Sequence, residues 1–349
     1  MPLIKSFDSF TKLEEVWLGD VYPPEFFDHV DVNYRDVLKT IIEWTREDLQ
    51  IIHNKLEQLG VKVRRPVYSD RREDYFSSPD GMLFKPEICP RDSFLTFGNT
   101  MVVDTWLDER LKENFPWRHL LEEYTNDPES RVIKNPCRLN LIGANAVKLG
   151  QDFFLDTGFD WNVDAQERLL EFQKHVPHLW PNHKCHMLTQ GGHCDAGFAV
   201  LRPGLLLVTA YFEYYKDNFP GWDFISVAKP EFKNHAALLA ATFPNSGNGR
   251  WYVPNLPMSP NFNNFVLEHA KEWIGNYTET FFEVNCLIVD EKNILVIGSD
   301  QNVFEQLEKH GFNVHVLPFR TRGFWDGGLH CITVDIRRQG EIKNYFANM

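Results

Sequence analysis

"GFWDGGLHCITVDIRRQG" (residues 323–340) reads as a Gly-Gly turn followed by one short strand of alternating character, with Cys331 at its mouth. This strand has no hairpin partner nearby. Neither does "LEEVWLGD" (13–20), at the other end of the chain. A lone strand exposes a row of unpaired backbone donors and acceptors, and pairing these two leaves no open edge. The first and last strands are therefore expected side by side, which carries Cys331 from near the terminus to the middle of the molecule.

Working outward, four stretches share one shape: an apolar strand, a tight turn and a second apolar strand. They are "SFLTFGNTMVVD" (93–104), "NAVKLGQDFFLD" (145–156), "GFAVLRPGLLLV" (197–208) and "NCLIVDEKNILVIG" (285–298). The first three turns, at Gly98, Gly150 and Pro203, lie 52 and 53 residues apart; the fourth, at Glu291, follows 88 later. An Asn/Pro/Gly-rich insertion, "FPNSGNGRWYVPNLPMSPNFNN" (243–264), accounts for the excess. Helical patterns lie at 34–60, 164–176, 264–275 and 302–311. Repetition at about 50 residues points to a modular, propeller-like α/β array. Residues 1–349 are expected to form one domain, with the terminal strands completing a fifth module.

With 43% hydrophobic residues the chain of 349 can bury a substantial core, and its longest apolar runs are far short of the roughly 20 residues a membrane span needs. A formal net charge of −13, with no clustered basic stretch, argues against a nucleic-acid partner. The six scattered cysteines read as free thiols, and the N-terminus lacks a secretory signal pattern. A cytoplasmic protein with neither a nucleic-acid nor a membrane partner is expected. No P-loop or G-x-G-x-x-G pattern is present, and no cofactor is expected. "HKCHMLTQGGHC" (183–194) is rich in histidine and cysteine, but its spacings are not those of a zinc site, so no metal is expected either.

Polar residues that core packing does not explain precede three of the strands: Asp92 in "CPRD", His193 and Asp195 in "GGHCDAGF", and Cys331 in "GGLHC". If the modules surround an axis, equivalent strand ends converge and these side chains meet. Strand parity puts His193 and Asp195 on one face with Cys194 opposite, and Cys331, Thr333 and Asp335 on one face with His330 opposite. A thiolate is a nucleophile, and a histidine near neutral pH can pass a proton either way. Two carboxylates beside a thiolate make sense if they hold a cation, and a planar guanidinium donates charge-assisted bonds to both. Each of these residues also has a plainer reading: a buried core thiol, a structural histidine, turn-forming aspartates. Asn285, at the start of the fourth hairpin, reads as a residue that completes backbone bonds, with a role in the pocket as the alternative.

"PRDSFLTFGN", "GHCDAGFAVLRPG", "NCLIVDEK" and "GGLHCITVDIRRQG", together with "LEEVWLGD", resemble the amidinotransferases, in order and with similar spacing from about residue 13 to 343. The resemblance implies a five-bladed α/β propeller with pseudo-fivefold symmetry and the active site on its axis. It implies transfer of an amidino group, with L-arginine as donor and a small amine or amino acid as acceptor, through an amidino-cysteine. Matched by position, Cys331 is the nucleophile and His193 the general acid/base, while Asp92 and Asp195 grip the guanidinium. A homodimer is suggested by the same analogy.

The chain departs from the family pattern twice. Ile142 stands where the family has an aspartate that orients the histidine, with Asn140 near enough to substitute and Asp152 already past the turn. Phe212 stands where the family has an arginine for the donor's carboxylate. A deiminase-like hydrolase and a non-catalytic guanidino-binding protein are the alternative readings.

Overall fold

One unit of three strands recurs five times along the chain. In the computed structural model, which describes residues 2–76, 83–104, 115–158, 163–189, 193–210, 214–227, 253, 256, 260–270, 273–274, 282–298 and 300–346, each unit is a separate small sheet. The hairpin β3 (Phe94–Phe97) and β4 (Thr100–Val103) is joined in parallel by β5 (Arg131–Lys134). The same order holds for β6 (Ala146–Leu149), β7 (Asp152–Asp156) and β8 (Lys184–Leu188). It holds again for β9 (Phe198–Arg202), β10 (Leu205–Val208) and β11 (Asp223–Ser226). The fourth sheet is β12 (Leu287–Ile288), β13 (Asn293–Val296) and β14 (Asn313–Val316).

The fifth is made from both ends of the chain, as the lone strands require. β15 (Thr333–Arg338) pairs antiparallel with β1 (Leu13–Leu18), Leu18 facing Thr333 and Leu13 facing Arg338, and β2 (Lys62–Arg64) adds in parallel. All four expected hairpins are present. Their tight turns rest on backbone that glycine adopts at little cost: Gly98 and Gly150 have φ of 63° and 62°, and Gly204, after Pro203, has φ 84°.

A parallel third strand needs a crossover, and a helix supplies it in every sheet. The longest is α1 (Val32–Gln58), between β1 and β2. Asp31 caps it by accepting the N–H of Asn33, and Gly60, with φ 80°, follows its end. Its buried residues, Leu38, Ile41, Ile42, Thr45, Leu49, Ile52 and Leu56, recur at helical spacing along one face. α2 (Arg118–Thr125) serves β4 and β5, and α3 (Ala165–Leu179) serves β7 and β8. The helix expected at 264–275 runs over Pro260–His269, and most of the insertion at 243–264 lies outside the described residues. Aromatic packing locks neighbouring sheets together: Trp17 of β1 stacks on Trp117 at 4.6 Å and meets Phe94 of β3 edge-on at 5.1 Å. Among the described residues no helix is long and apolar enough to cross a membrane.

Deep between the sheets lies one carboxylate with three cations. Asp335 of β15, fully buried, pairs with the guanidinium of Arg91, with Lys148 Nζ of β6 at 3.0 Å and with Arg338 Nε at 2.9 Å. Arg338 also donates to the carbonyls of Thr11 (2.6 Å) and Ile288 (2.9 Å), and Lys148 donates to Ser6 Oγ (2.7 Å). Burial alone would raise the Asp335 carboxyl; Lys148, Arg91 and Arg338 outweigh it and hold it well below the usual range. Burial pushes the Lys148 ammonium down to about 8, against the pull of Asp335.

Replacing Asp335 with Ala leaves three buried cations uncompensated, and we expect a loss of about 3–5 kcal/mol of stability in urea unfolding. Asp335→Asn, which keeps an acceptor but no charge, should lose nearly as much. Breaking the exposed Arg118–Glu122 pair (2.7 Å) should change stability by less than about 1 kcal/mol.

Candidate active site

The segments that lead into the first strand of each sheet meet one another. A 3-10 turn at Pro90–Asp92 precedes β3, another at Gly143–Asn145 precedes β6, and a single helical turn, α4 (Cys194–Gly197), precedes β9. The turn before β3 touches that before β6, which touches α4. Asn285, ahead of β12, donates from Nδ2 to the carbonyl of Asp195 at 3.1 Å. Its Oδ1 accepts the N–H groups of His330 and Cys331, ahead of β15, both at 3.0 Å. The Arg91 N–H then donates to the Cys331 carbonyl at 3.3 Å, which returns to the first turn.

Cys331 is buried, with 4% exposure, in a turn held by the Ile332 N–H to Gly328 C=O bond (3.1 Å). Its Sγ lies 3.5 Å from Asp195 Oδ2 and receives the Asn285 Nδ2 donor at 2.9 Å. The other face of Asp195 Oδ2 accepts a bond from His330 Nδ1 at 2.8 Å. Burial alone would raise Asp195, but this bond and the nearby His330, His193 and Arg91 outweigh it and keep the carboxyl below its ordinary value. Burial, aided by Arg91, holds His330 below the ordinary histidine value, so at neutral pH the imidazole is uncharged and Nδ1–H is the donor.

Asp92 is driven the other way: burial raises it, partly offset by His193 and Lys85. Two buried carboxylate oxygens, Asp92 Oδ1 and Asp195 Oδ1, have no hydrogen-bond partner among the described residues. Such atoms are costly unless something cationic or protic meets them. The Cys331 thiol is pushed well above 9 by burial first, then by Asp195, Asp92 and Cys89. Asp195 and His330 also border a cavity of about 30 Å³ shared with Lys148 and Ser9, the space of about one water.

Asp195 and Cys331 are thus in direct contact, and Asp92 and His193 lie within electrostatic reach of the pair. His193 sits at the N-cap of α4, its carbonyl accepting the Ala196 N–H at 3.1 Å. The parity reading needs correction in two places. Residues 194–197 form a helical turn rather than a strand, so His193 and Asp195 are not related by strand alternation; Cys194 Sγ donates to the Asn145 carbonyl at 3.3 Å. Cys331 likewise precedes the strand, and His330, expected on the opposite face, turns its ring onto Asp195. Asp335 faces the buried cations instead of the thiol.

Arg91 escaped the sequence reading altogether. Its Nε donates to the carbonyls of His330 (2.7 Å) and Thr333 (2.8 Å), clamping both ends of the Cys331 turn. Ile142 is buried at 6% exposure and bonds through its backbone to Asn145 (3.2 Å); Phe212 lies outside the described residues. In the stretch 183–194, His183 Nδ1 bonds to the Gly150 carbonyl (3.0 Å) and His186 to Asp152 (2.7 Å). Among the described residues no group of three or more histidine, cysteine or acidic side chains is placed to hold a metal ion.

With the thiol raised this far, the thiolate fraction climbs about tenfold per pH unit through pH 9 without levelling. Alkylation of Cys331 by iodoacetamide, followed by peptide mapping, is expected to be slow at pH 7 and still rising at pH 9.5. A plateau below pH 8 would contradict the electrostatics.

No protein-family model matches the chain. It is 27% identical to a putative inosamine-phosphate amidinotransferase of Streptomyces griseus over 86% of this chain and 82% of that protein. It is 25% identical to the L-arginine:L-lysine amidinotransferase of Pseudomonas savastanoi pv. phaseolicola over 87% and 81%. The solved structure of inosamine-phosphate amidinotransferase from Streptomyces griseus superposes with a TM-score of 0.65 at 21% identity, over 99% of each chain. In sequence the chain is similar to amidinotransferases over most of its length, and it shares the fold of the Streptomyces griseus enzyme.

Proposed function

We propose that the protein transfers an amidino group from L-arginine to a small amine or amino acid through a covalent amidino-cysteine at Cys331. The observation that carries this reading is a pair of buried oxygens, Asp92 Oδ1 and Asp195 Oδ1, without partners among the described residues, with Cys331 Sγ 3.5 Å from the other oxygen of Asp195. They suit a planar cation whose central carbon the sulfur attacks. Arginine as donor is supported by the name of the Pseudomonas relative.

The same charges supply the trigger. Burial first, then the carboxylates of Asp195 and Asp92, keep the thiol protonated in the free enzyme. A guanidinium between Asp92 and Asp195 cancels their field, so the thiol passes its proton to His193 as the substrate arrives. The thiolate attacks the guanidinium carbon, and His193 protonates the departing amine, ornithine when arginine is the donor. The amidino-thioether keeps the positive charge against the two carboxylates. An incoming amine loses its proton to His193 and attacks the same carbon, and Cys331 leaves as thiolate. Neutral His330, donating to Asp195, holds that carboxylate in place and leaves it charged.

The fold supports the reading further when the five sheets are taken as blades around one axis, pairing of the two terminal strands closing the ring. Cys331, Asp92, His193 and Asp195 then come from equivalent blade entrances within one domain, residues 1–349. We place the enzyme in the cytoplasm and, by analogy with the family, as a homodimer.

Incubation with arginine is expected to leave an amidino adduct on the Cys331 peptide by mass spectrometry, discharged by added amines and absent in Cys331→Ala. His193→Ala should slow turnover about 10²–10⁴-fold. Release of citrulline without an acceptor would instead identify a hydrolase, and no adduct with any guanidino compound would remove the catalytic reading.

A further inference from the structure

Asn285 is fully buried, and both ends of its amide are spent on the turn that carries the nucleophile. Oδ1 accepts the N–H groups of His330 and Cys331, each at 3.0 Å. Nδ2 donates to the Asp195 carbonyl at 3.1 Å and to Cys331 Sγ at 2.9 Å. These partners fix which end is oxygen, because a flipped amide would set NH₂ against two N–H donors and oxygen against a carbonyl. Gly328 lets the turn close over this side chain: a Cβ there would lie 2.5 Å from Asn285 Oδ1 and 2.6 Å from its Cβ.

Around the sulfur the ionisable groups mostly oppose its charge. Asp195 comes from the segment before β9, with His193 beside it; Asp92 and Cys89 come from the segment before β3, with Lys85 nearby; His330 is the chain neighbour. Against Asp195, Asp92 and Cys89, the Asn285 amide is an uncharged donor that no accessible pH removes, and it points at the sulfur itself. A donor aimed at sulfur favours the thiolate over the thiol. Taking amidino transfer as the reaction, we propose that Asn285 is a positioning residue for Cys331. Its Oδ1 fixes the turn, while its Nδ2–H stabilises the thiolate and sets the direction of attack.

The discriminating variant is Asn285→Asp, which keeps an oxygen for the two backbone N–H groups and turns an oxygen, in place of the donor, toward the sulfur. With the melting temperature within a few degrees of the parent, iodoacetamide alkylation of Cys331 should slow at least about tenfold at pH 9, its pH profile moving up by about one unit. A folded variant with an unmoved profile overturns the proposal. The new carboxylate also raises the thiol through its own charge, so the wild-type protein with nitrogen-15 asparagine tests the donor itself, whether or not the variant folds. One side-chain amide should then titrate in step with the Cys331 thiol and cease to do so in Cys331→Ala; no such resonance would also overturn it. Alkylation needs no guanidino substrate. A shifted profile without an amidino adduct from any donor would therefore keep the role of Asn285 and discard amidino transfer, and an adduct with an unshifted profile would do the reverse.

Discussion

The buried ion cluster around Asp335 is what the remaining architecture depends on. A single carboxylate draws in Arg91 from the turn before β3, Lys148 from β6 and Arg338 from its own strand, and Arg338 reaches on to the backbone of Ile288 in β12. Burying these ions costs several kcal/mol each, recovered only when all are in register. The cluster therefore rewards one relative placement of the sheets and penalises any slip. It also carries more positive than negative charge. The surplus acts on the site above it: Arg91 helps hold Asp195 ionised and His330 neutral.

Arg91 joins the two levels. Its side chain grips the carbonyls of His330 and Thr333 while its guanidinium is anchored on Asp335. The Cys331 turn is thus bolted to the centre of the molecule. Each candidate side chain sits one turn ahead of a rigid strand, where backbone groups are free to bond across to the next segment. This is how short loops from separate sheets can hold side chains closely without a dedicated scaffold.

The sheets were legible in the sequence because their turns carry Gly98, Gly150 and Pro203–Gly204, whose backbone demands are local. The pairing of the ends followed from the absence of any nearer partner for either strand. Site residues could be picked out as polar groups just ahead of apolar strands. Their orientations could not: parity assumed that residues 193–195 and 330–331 were already strand, whereas both are turns, and this hid the His330–Asp195 bond. The place of Asn285 at a strand start predicts backbone bonds or a role in the pocket; it makes the bonds through Oδ1, and no local pattern announces that its Nδ2 lies against a sulfur 46 residues away. Arg91 was hidden for the same reason, since its partner is 244 positions distant.

The union of β1 with β15 also orders events during synthesis. β1 emerges from the ribosome long before β15, and Leu13 must wait until Arg338 is made. Until then its antiparallel edge is bare, an invitation to intermolecular strand addition that chaperones would have to cover. The segment that supplies the missing strand brings the keystone carboxylate and the thiol with it. The cluster around Cys331 therefore cannot assemble before β15 has joined β1.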